Sequence, residues 1–252
     1  MSDIKISVLC PTRRRMSWMR RLAKSCFDTC YDKKQVEIVF GIDDDDHESI
    51  ETAKDLQKEY SEHNIVYTVW PRKKYVFSDL INQVSYVANG QIFNLVGDDA
   101  KFMSKNWDEI VLQEFDKFED KIVMVHVNDG QSIAPRLACH PFMHANWRDA
   151  VGYLLPPYFH GDWADYWITD VVREISSALG QARKVYQPNI FIEHLHPELG
   201  KAEKDETYYE HLIERTRPDA AQPYKSDEGQ KEIQQNIKDL LAFIDNFGKE
   251  NE

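Results

Sequence analysis

Two adjacent carboxylates, Asp98 and Asp99, follow the short and mostly apolar run Ile92-Phe93-Asn94-Leu95-Val96-Gly97. The run reads as a buried strand whose C-terminal end presents both acids. Open α/β sheets bind their ligands at that edge. Neighbouring carboxylates repel each other unless a cation stands between or beside them. Hard divalent ions such as Mg²⁺ or Mn²⁺ favour oxygen ligands and arrive with phosphates. Two other strand ends carry complementary groups. The first runs into Cys10-Pro11-Thr12-Arg13, where Arg13 can meet a phosphate. The second ends in Gly41-Ile42-Asp43-Asp44-Asp45-Asp46, where Asp43 can accept hydrogen bonds from a base N–H or a ribose hydroxyl. If these strands are parallel, Pro11, Thr12, Arg13, Asp43 and Asp98 share one edge of the sheet, as in a pocket for a nucleoside diphosphate. The remaining acids of the second run read as a turn and helix-start charges. Arg14 and Arg15 read as surface charges.

The elements that must position these groups alternate along the first half of the chain. Strands are expected at Ile4 to Cys10, Val36 to Ile42, Ile65 to Trp70, Gln91 to Val96 and Lys121 to Val127. Helices are expected at Met16 to Cys30, His47 to Glu62, Phe77 to Ala88 and Trp107 to Phe118, the third closed by Asn89-Gly90. This rhythm predicts an α/β fold with a mostly parallel central sheet flanked by helices. Residues 128 to 165 lose the rhythm and are rich in Pro, His, Trp and Tyr, which reads as a binding loop. A helix from Thr169 to Leu179, stopped by Gly180, and a strand from Val185 to Glu193, interrupted by Pro188, follow. After Pro218 comes a polar linker, then a C-terminal helical tail with Ile233, Ile237, Leu240, Ile244 and Phe247 on one stripe. Docking of that stripe in cis is the plainer reading, and a homodimer through this helix is the alternative.

A chain of 252 residues, 42% hydrophobic and 29% charged, is long enough for one substantial core. Its net charge of −12 does not draw it to nucleic acid or an anionic membrane. Local basic clusters occur only at Arg13 to Arg15 with Arg20 and Arg21, and at Arg72-Lys73-Lys74. The four cysteines lack zinc-site spacing and read as reduced core thiols. No signal peptide and no membrane span are expected, and the expected location is the cytoplasm, in a bacterium or a phage-infected host.

The segment Ile6-Ser7-Val8-Leu9-Cys10-Pro11-Thr12-Arg13 resembles the opening strand and loop of the family 2 glycosyltransferases, which have the GT-A fold. The segment Glu37-Ile38-Val39-Phe40-Gly41-Ile42-Asp43-Asp44 is similar to their second strand, and Asn82 to Asp99 to the stretch leading into their DxD metal motif. A closer likeness is to small glycosyltransferases of tailed phages and bacteria. It rests on Asp165-Tyr166-Trp167-Ile168-Thr169-Asp170, on Glu193-His194-Leu195-His196-Pro197-Glu198-Leu199-Gly200-Lys201-Ala202 and on Asp205-Glu206-Thr207-Tyr208. The resemblance departs at Val96, which stands where many relatives carry the first acid.

This resemblance implies a metal-dependent transfer of sugar from a nucleotide-sugar, a UDP-sugar first, to a hydroxyl acceptor with inversion. The acceptor is a surface glycan or the hydroxymethylated bases of phage DNA. Mn²⁺ or Mg²⁺ would be held by Asp98, Asp99 and a C-terminal histidine, His194 or His196, which lie two apart in an extended segment and point the same way. The catalytic base would come from Asp162, Asp165 or Asp170, with Asp165 first and Asp170 second. Residues 1–217 would form the glycosyltransferase domain, with 1–127 as nucleotide-sugar half and 128–217 as acceptor half, and residues 218–252 the linker and tail. A nucleotidyltransferase would need a glycine-rich loop after the first strand, where Pro11-Thr12-Arg13 stands instead. An inactive sugar-binding module would have no need of Asp98, Asp99, Asp165 and both histidines. Trp163 and Trp167 could stack on a sugar or belong to the core.

Overall fold

A computed structural model describes residues 3–60, 64–72, 77–131 and 133–250. Strand β1 (Ile6–Thr12) lies inside the sheet and is fully buried along its length. Its side chains alternate between two cores, as a strand covered on both faces requires. Ile6, Val8 and Cys10 join Met19, Leu22 and Phe27 of α1 (Met16–Thr29) and Leu56 of α2 (His47–Glu59). Leu9 joins Ile81 and Val84 of α3 (Phe77–Val87) in a second core.

Around β1 the strands β2 (Val36–Asp43), β3 (Asn64–Trp70) and β4 (Ile92–Leu95) are all parallel. The register pairs Thr12 with Ile42 and Leu9 with Leu95, so the C-terminal ends of β1, β2 and β4 meet at one edge. The whole sheet is mixed and has eight strands in the order β3-β2-β1-β4-β7-β6-β8-β5. Its remaining members are β5 (Ala100–Phe102), β6 (Met124–Asn128), β7 (Phe142–His144) and β8 (Lys184–His194). β7 runs antiparallel to β4 and β6, β5 antiparallel to β8, and β6 parallel to β8. Helix α4 (Trp107–Asp116) covers the first core. Helices α5 (Ala145–Val151), α6 (Ala164–Leu179) and the tail helix α9 (Asp227–Glu250) cover the second. Two smaller helices, α7 (Glu206–Arg215) and α8 (Gln222–Lys225), lie between β8 and α9.

The aromatic segment 128 to 165 is less irregular than its composition suggests, because β7 and α5 lie inside it. Three-residue β7 carries no periodicity to read. Helix α6 starts at Ala164, five residues before the expected Thr169, and so carries Asp165 in its first turn. Pro188 lies in β8 where its register against β6 shifts after Val127, which is how a residue without an N–H is accommodated in a sheet. The second helix ends at Glu59 with Tyr60 as its C-cap, and residues 61 and 62 of the expected extension lie outside the described residues, as do Lys73 and Lys74.

The C-terminal stripe docks in cis. Ile233, Ile237 and Leu240 are buried in the second core beside Trp167, Val171 and Ile175 of α6, and Ile244 packs at its margin. The surface on which the homodimer alternative rests is therefore largely used within the chain. Among the described residues no helix is long and apolar enough to cross a membrane, and all four cysteines are unpaired.

Candidate active site

The meeting ends of β1, β2 and β4 floor a cleft of about 420 Å³. Pro11, Thr12, Arg13, Asp43, Asp98, Asp99, His194, His196, Asp162 and Asp165 all line it. Asp170 is not among the lining residues; its carboxylate accepts from the Tyr224 hydroxyl at 2.5 Å and pairs with Arg173 at 3.1 Å.

Asp98 is buried, and both of its oxygens are engaged. Oδ2 accepts from Thr12 Oγ1 at 2.7 Å, and Oδ1 from Arg15 Nη1 at 2.9 Å. Burial pushes its pKa up to about 6 against the pull of Arg15, with the neighbouring Asp99 adding to the rise. Asp99 differs. Burial disfavours its charge too, but His194 outweighs that and holds it well below the ordinary carboxylate range. His194 Nε2 lies 3.1 Å from Asp99 Oδ2. Burial works against the His194 cation, yet Asp99 moves its pKa up.

Strand pairing creates this contact. β5 runs antiparallel to β8 with Ala100 opposite His194, and Leu195 N donates to the Asp99 carbonyl at 2.9 Å. A side chain at Gly97 would crowd it, since a Cβ there would stand 2.6 Å from Asp99 Oδ1. Val96 lies 1% exposed in the first core, so the place of an expected acid points into hydrocarbon and not into the cleft. His196 also lines the cleft, its ring 5.2 Å from that of His194, but it caps the short turn Pro197–Leu199 by accepting from Glu198 N.

The donor set suits a divalent ion of the Mn²⁺ or Mg²⁺ kind, with Asp99 and His194 offering a carboxylate and an imidazole side by side. Asp98 gives one lone pair of each oxygen to Thr12 and Arg15 and keeps the others for a further ligand.

Arg13 and Arg15 line the cleft together, and the burial of Arg15 corrects its reading as a surface charge. Arg14, between them, sits at φ 53° in the left-handed region. That kink at the start of α1 turns both neighbours inward while Arg14 stays exposed, a geometry that a run of three arginines does not reveal. Arg13 contacts Asp43 at 3.2 Å and Asp45 at 2.5 Å. Burial raises the Asp43 pKa, opposed by Arg72 and Arg13. Arg15 forks onto Asp205 through Nε and Nη2, each at 2.8 Å. Arg72 and Arg13 both reach Glu210 of α7, and Arg14 reaches Glu206. The segment from Asp205 into α7 thus straps across the arginines, and Thr207 Oγ1 donates to the Arg13 carbonyl.

Across the cleft, Asp165 accepts from Tyr166 N at 2.9 Å. Burial, and then the nearby Asp162, raise its pKa to about 6 despite that bond. Trp163 lines the same wall, at φ 79°, and stacks on Tyr224 at 5.6 Å. Trp167 is core, its indole N–H donating to Asn236 of α9.

The fold matches known structures at low identity. TarS of S. aureus superposes at a TM-score of 0.57 with 13% identity, over 94% of this chain but 43% of that one, so this chain spans less than half of the full TarS chain. TarS 1-349 in complex with UDP-GlcNAc aligns at 0.56 and 14%, over 95% of this chain and 72% of that one. The mannosyltransferase PcManGT of Pyrobaculum calidifontis, in complex with GDP-Man and Mn²⁺, aligns at 0.58 and 10%, over 94% and 74%. No curated protein matches the sequence. Residues 7–138, slightly more than half of the chain, match glycosyl transferase family 2, the family to which this chain belongs.

Proposed function

We propose that the chain moves a sugar from a nucleotide-sugar to the hydroxyl of a glycan, with inversion at the anomeric carbon and dependence on a divalent ion. One observation carries this. A single cleft joins Arg13 and Asp43 at one end, Asp98, Asp99 and His194 on its floor, and Asp165 on the facing wall. Asp43 and Arg13 suit the nucleoside and its phosphates. The neighbouring folds hold UDP-GlcNAc and GDP-Man, which supports a nucleoside diphosphate donor; UDP is our first choice. Mn²⁺ or Mg²⁺ on Asp99 and His194 would neutralise charge on the departing diphosphate. Arg15, held by Asp98 and Asp205, adds a fixed positive charge beside it. Asp165 takes the proton of the acceptor hydroxyl as its oxygen attacks the sugar carbon from the face opposite the leaving group.

A glycan is preferred to modified DNA because the net charge is −12 and the arginines of the basic clusters lie beside acids: Arg13 and Arg15, which line the cleft, and Arg72 pair with Asp43, Asp45, Asp98, Asp205 and Glu210, and Arg20 with Asp55 and Glu59. A surface of that balance gives a long phosphate backbone little to follow, whereas one diphosphate inside the cleft needs only Arg13 and Arg15. Release of nucleoside diphosphate from a panel of nucleotide-sugars, with Mn²⁺ and with EDTA, tests the reading. Metal-dependent release is expected, and its absence with every donor rejects an enzyme. Transfer to hydroxymethylated DNA but to no glycan would reverse the choice of acceptor.

A further inference from the structure

Behind His194, on the side away from Asp99, three lone-pair donors converge on one atom. Gln131 Nε2 lies 2.9 Å from Asp129 Oδ2, 3.3 Å from His194 Nδ1 and 3.9 Å from Cys139 Sγ. The three donors lie within 4.8 Å of one another. A carboxylate, an imidazole nitrogen and a thiol sulfur all facing one N–H₂ group is the arrangement a cation would meet there, and the amide holds its place. Asp129 is 1% exposed, so its charge is costly to bury without such a partner. The backbone fixes the geometry as well, because His194 N donates to the Asp129 carbonyl at 3.1 Å.

The other face of His194 fits the same purpose. In the tautomer that carries its proton on Nε2, His194 donates to Asp99 and leaves the Nδ1 lone pair, which faces the Gln131 amide, for a metal. Metal-bound histidines commonly give their second N–H to a carboxylate in this way. Close by, His140 lines the cleft at 2% exposure, its ring 5.1 Å from that of His194, and neither of its nitrogens has a hydrogen-bond partner.

We propose that Asp129, Cys139 and His194 form a second cation site, for a borderline-soft ion of the Zn²⁺ class, distinct from the oxygen-rich floor of the cleft. Thiolate and imidazole select Zn²⁺ over Mg²⁺ or Mn²⁺. Bond lengths of about 2.0–2.3 Å to nitrogen, oxygen and sulfur require the three side chains to close slightly as the Gln131 amide swings out. Cys139 Sγ exchanges its proton for the metal, and the proton leaves to solvent. A metal on Nδ1 also locks Nε2–H onto Asp99 and withdraws the imidazole from the donor-side ion. This last consequence rests on the reading given under Proposed function; the site itself does not.

Titration with Co²⁺, followed by absorbance, tests the site without any transfer assay. One equivalent should bind with a thiolate-to-cobalt charge-transfer band that Zn²⁺ abolishes. Cys139→Ala should remove the band, Asp129→Asn should weaken binding at least tenfold, and Gln131→Ala should strengthen it. Cys30→Ala serves as the thiol control, and melting without metal checks that each variant folds. No sulfur band, or a band unaltered by Cys139→Ala, overturns the site. In a transfer assay with Mn²⁺ in excess, Zn²⁺ should inhibit and Cys139→Ala should relieve the inhibition. Cobalt binding without zinc inhibition would overturn the coupling and leave the site standing.

Discussion

Asp98 and Asp165 share a raised pKa near 6 for different ends. Asp165, the proposed base, lines the cleft wall half-buried, and a carboxyl of that pKa is ionised at neutral pH and still able to take a proton. Below about pH 6 it protonates, so kcat/KM should fall on the acid side. Asp98 titrates in the same range, so the limb should be steeper than one proton. Asp165→Asn should retain donor binding by calorimetry, lose transfer by roughly 10²–10⁴-fold, and flatten the residual limb to one proton. Asp98, by contrast, is bound to Arg15 with both groups buried. Removing one member of such a pair leaves an uncompensated charge, which costs about 3–5 kcal/mol. Arg15→Ala should therefore lower the urea midpoint markedly. Adding Asp98→Asn should recover part of the loss, and a double-mutant cycle with no coupling would refute the pairing.

At the scale of elements, the first half of the chain was legible because long periodic runs declare themselves. The parallel ends of β1, β2 and β4 followed from strand–helix order, and Thr12, Arg13, Asp43 and Asp98 met as expected. Arg15 escaped because one left-handed residue, Arg14, reverses the exposure of its neighbours. The pairing of His194 with Asp99 was expected as chemistry, yet the element that makes it, three-residue β5, leaves no pattern in the sequence. The contact of Asp170 with Tyr224 left no signal, because that partner lies 54 residues away. Asp129 and Cys139 carried no signal, since their spacing matches no metal motif. The tail helix was readable from its stripe, and its docking makes a further prediction. Leu240 is fully buried, so Leu240→Ala should cost about 2–5 kcal/mol in chemical denaturation, with no change in oligomeric state. Dissociation of an oligomer by that variant would instead place the stripe at a subunit contact.

Across the whole molecule, ion pairs join segments far apart in sequence. Arg15 and Asp205 are 190 residues apart and form a forked pair over the donor end of the cleft. Asp205 also caps α7 by accepting from Tyr208 N at 2.7 Å. Asp205→Asn loses a charge but keeps a cap, so it should cost about 1 kcal/mol, less than Asp205→Ala, which loses both. Thermal melting of the two variants orders them, and an equal loss would mean that the cap contributes nothing.

On the cleft wall that carries Asp165 the tail reaches further than packing. Glu232 accepts from the hydroxyls of both Tyr153 and Tyr158, while Asn236 holds Trp167. The wall carrying Asp165 is thus braced from behind by residues that never face the cleft. Substitutions in the first turns of the tail helix can therefore reshape that wall while the strand ends that carry Arg13, Asp43 and Asp98 are left untouched. On the proposed function, the same brace makes the start of this helix a handle for changing the acceptor without rebuilding the nucleotide pocket.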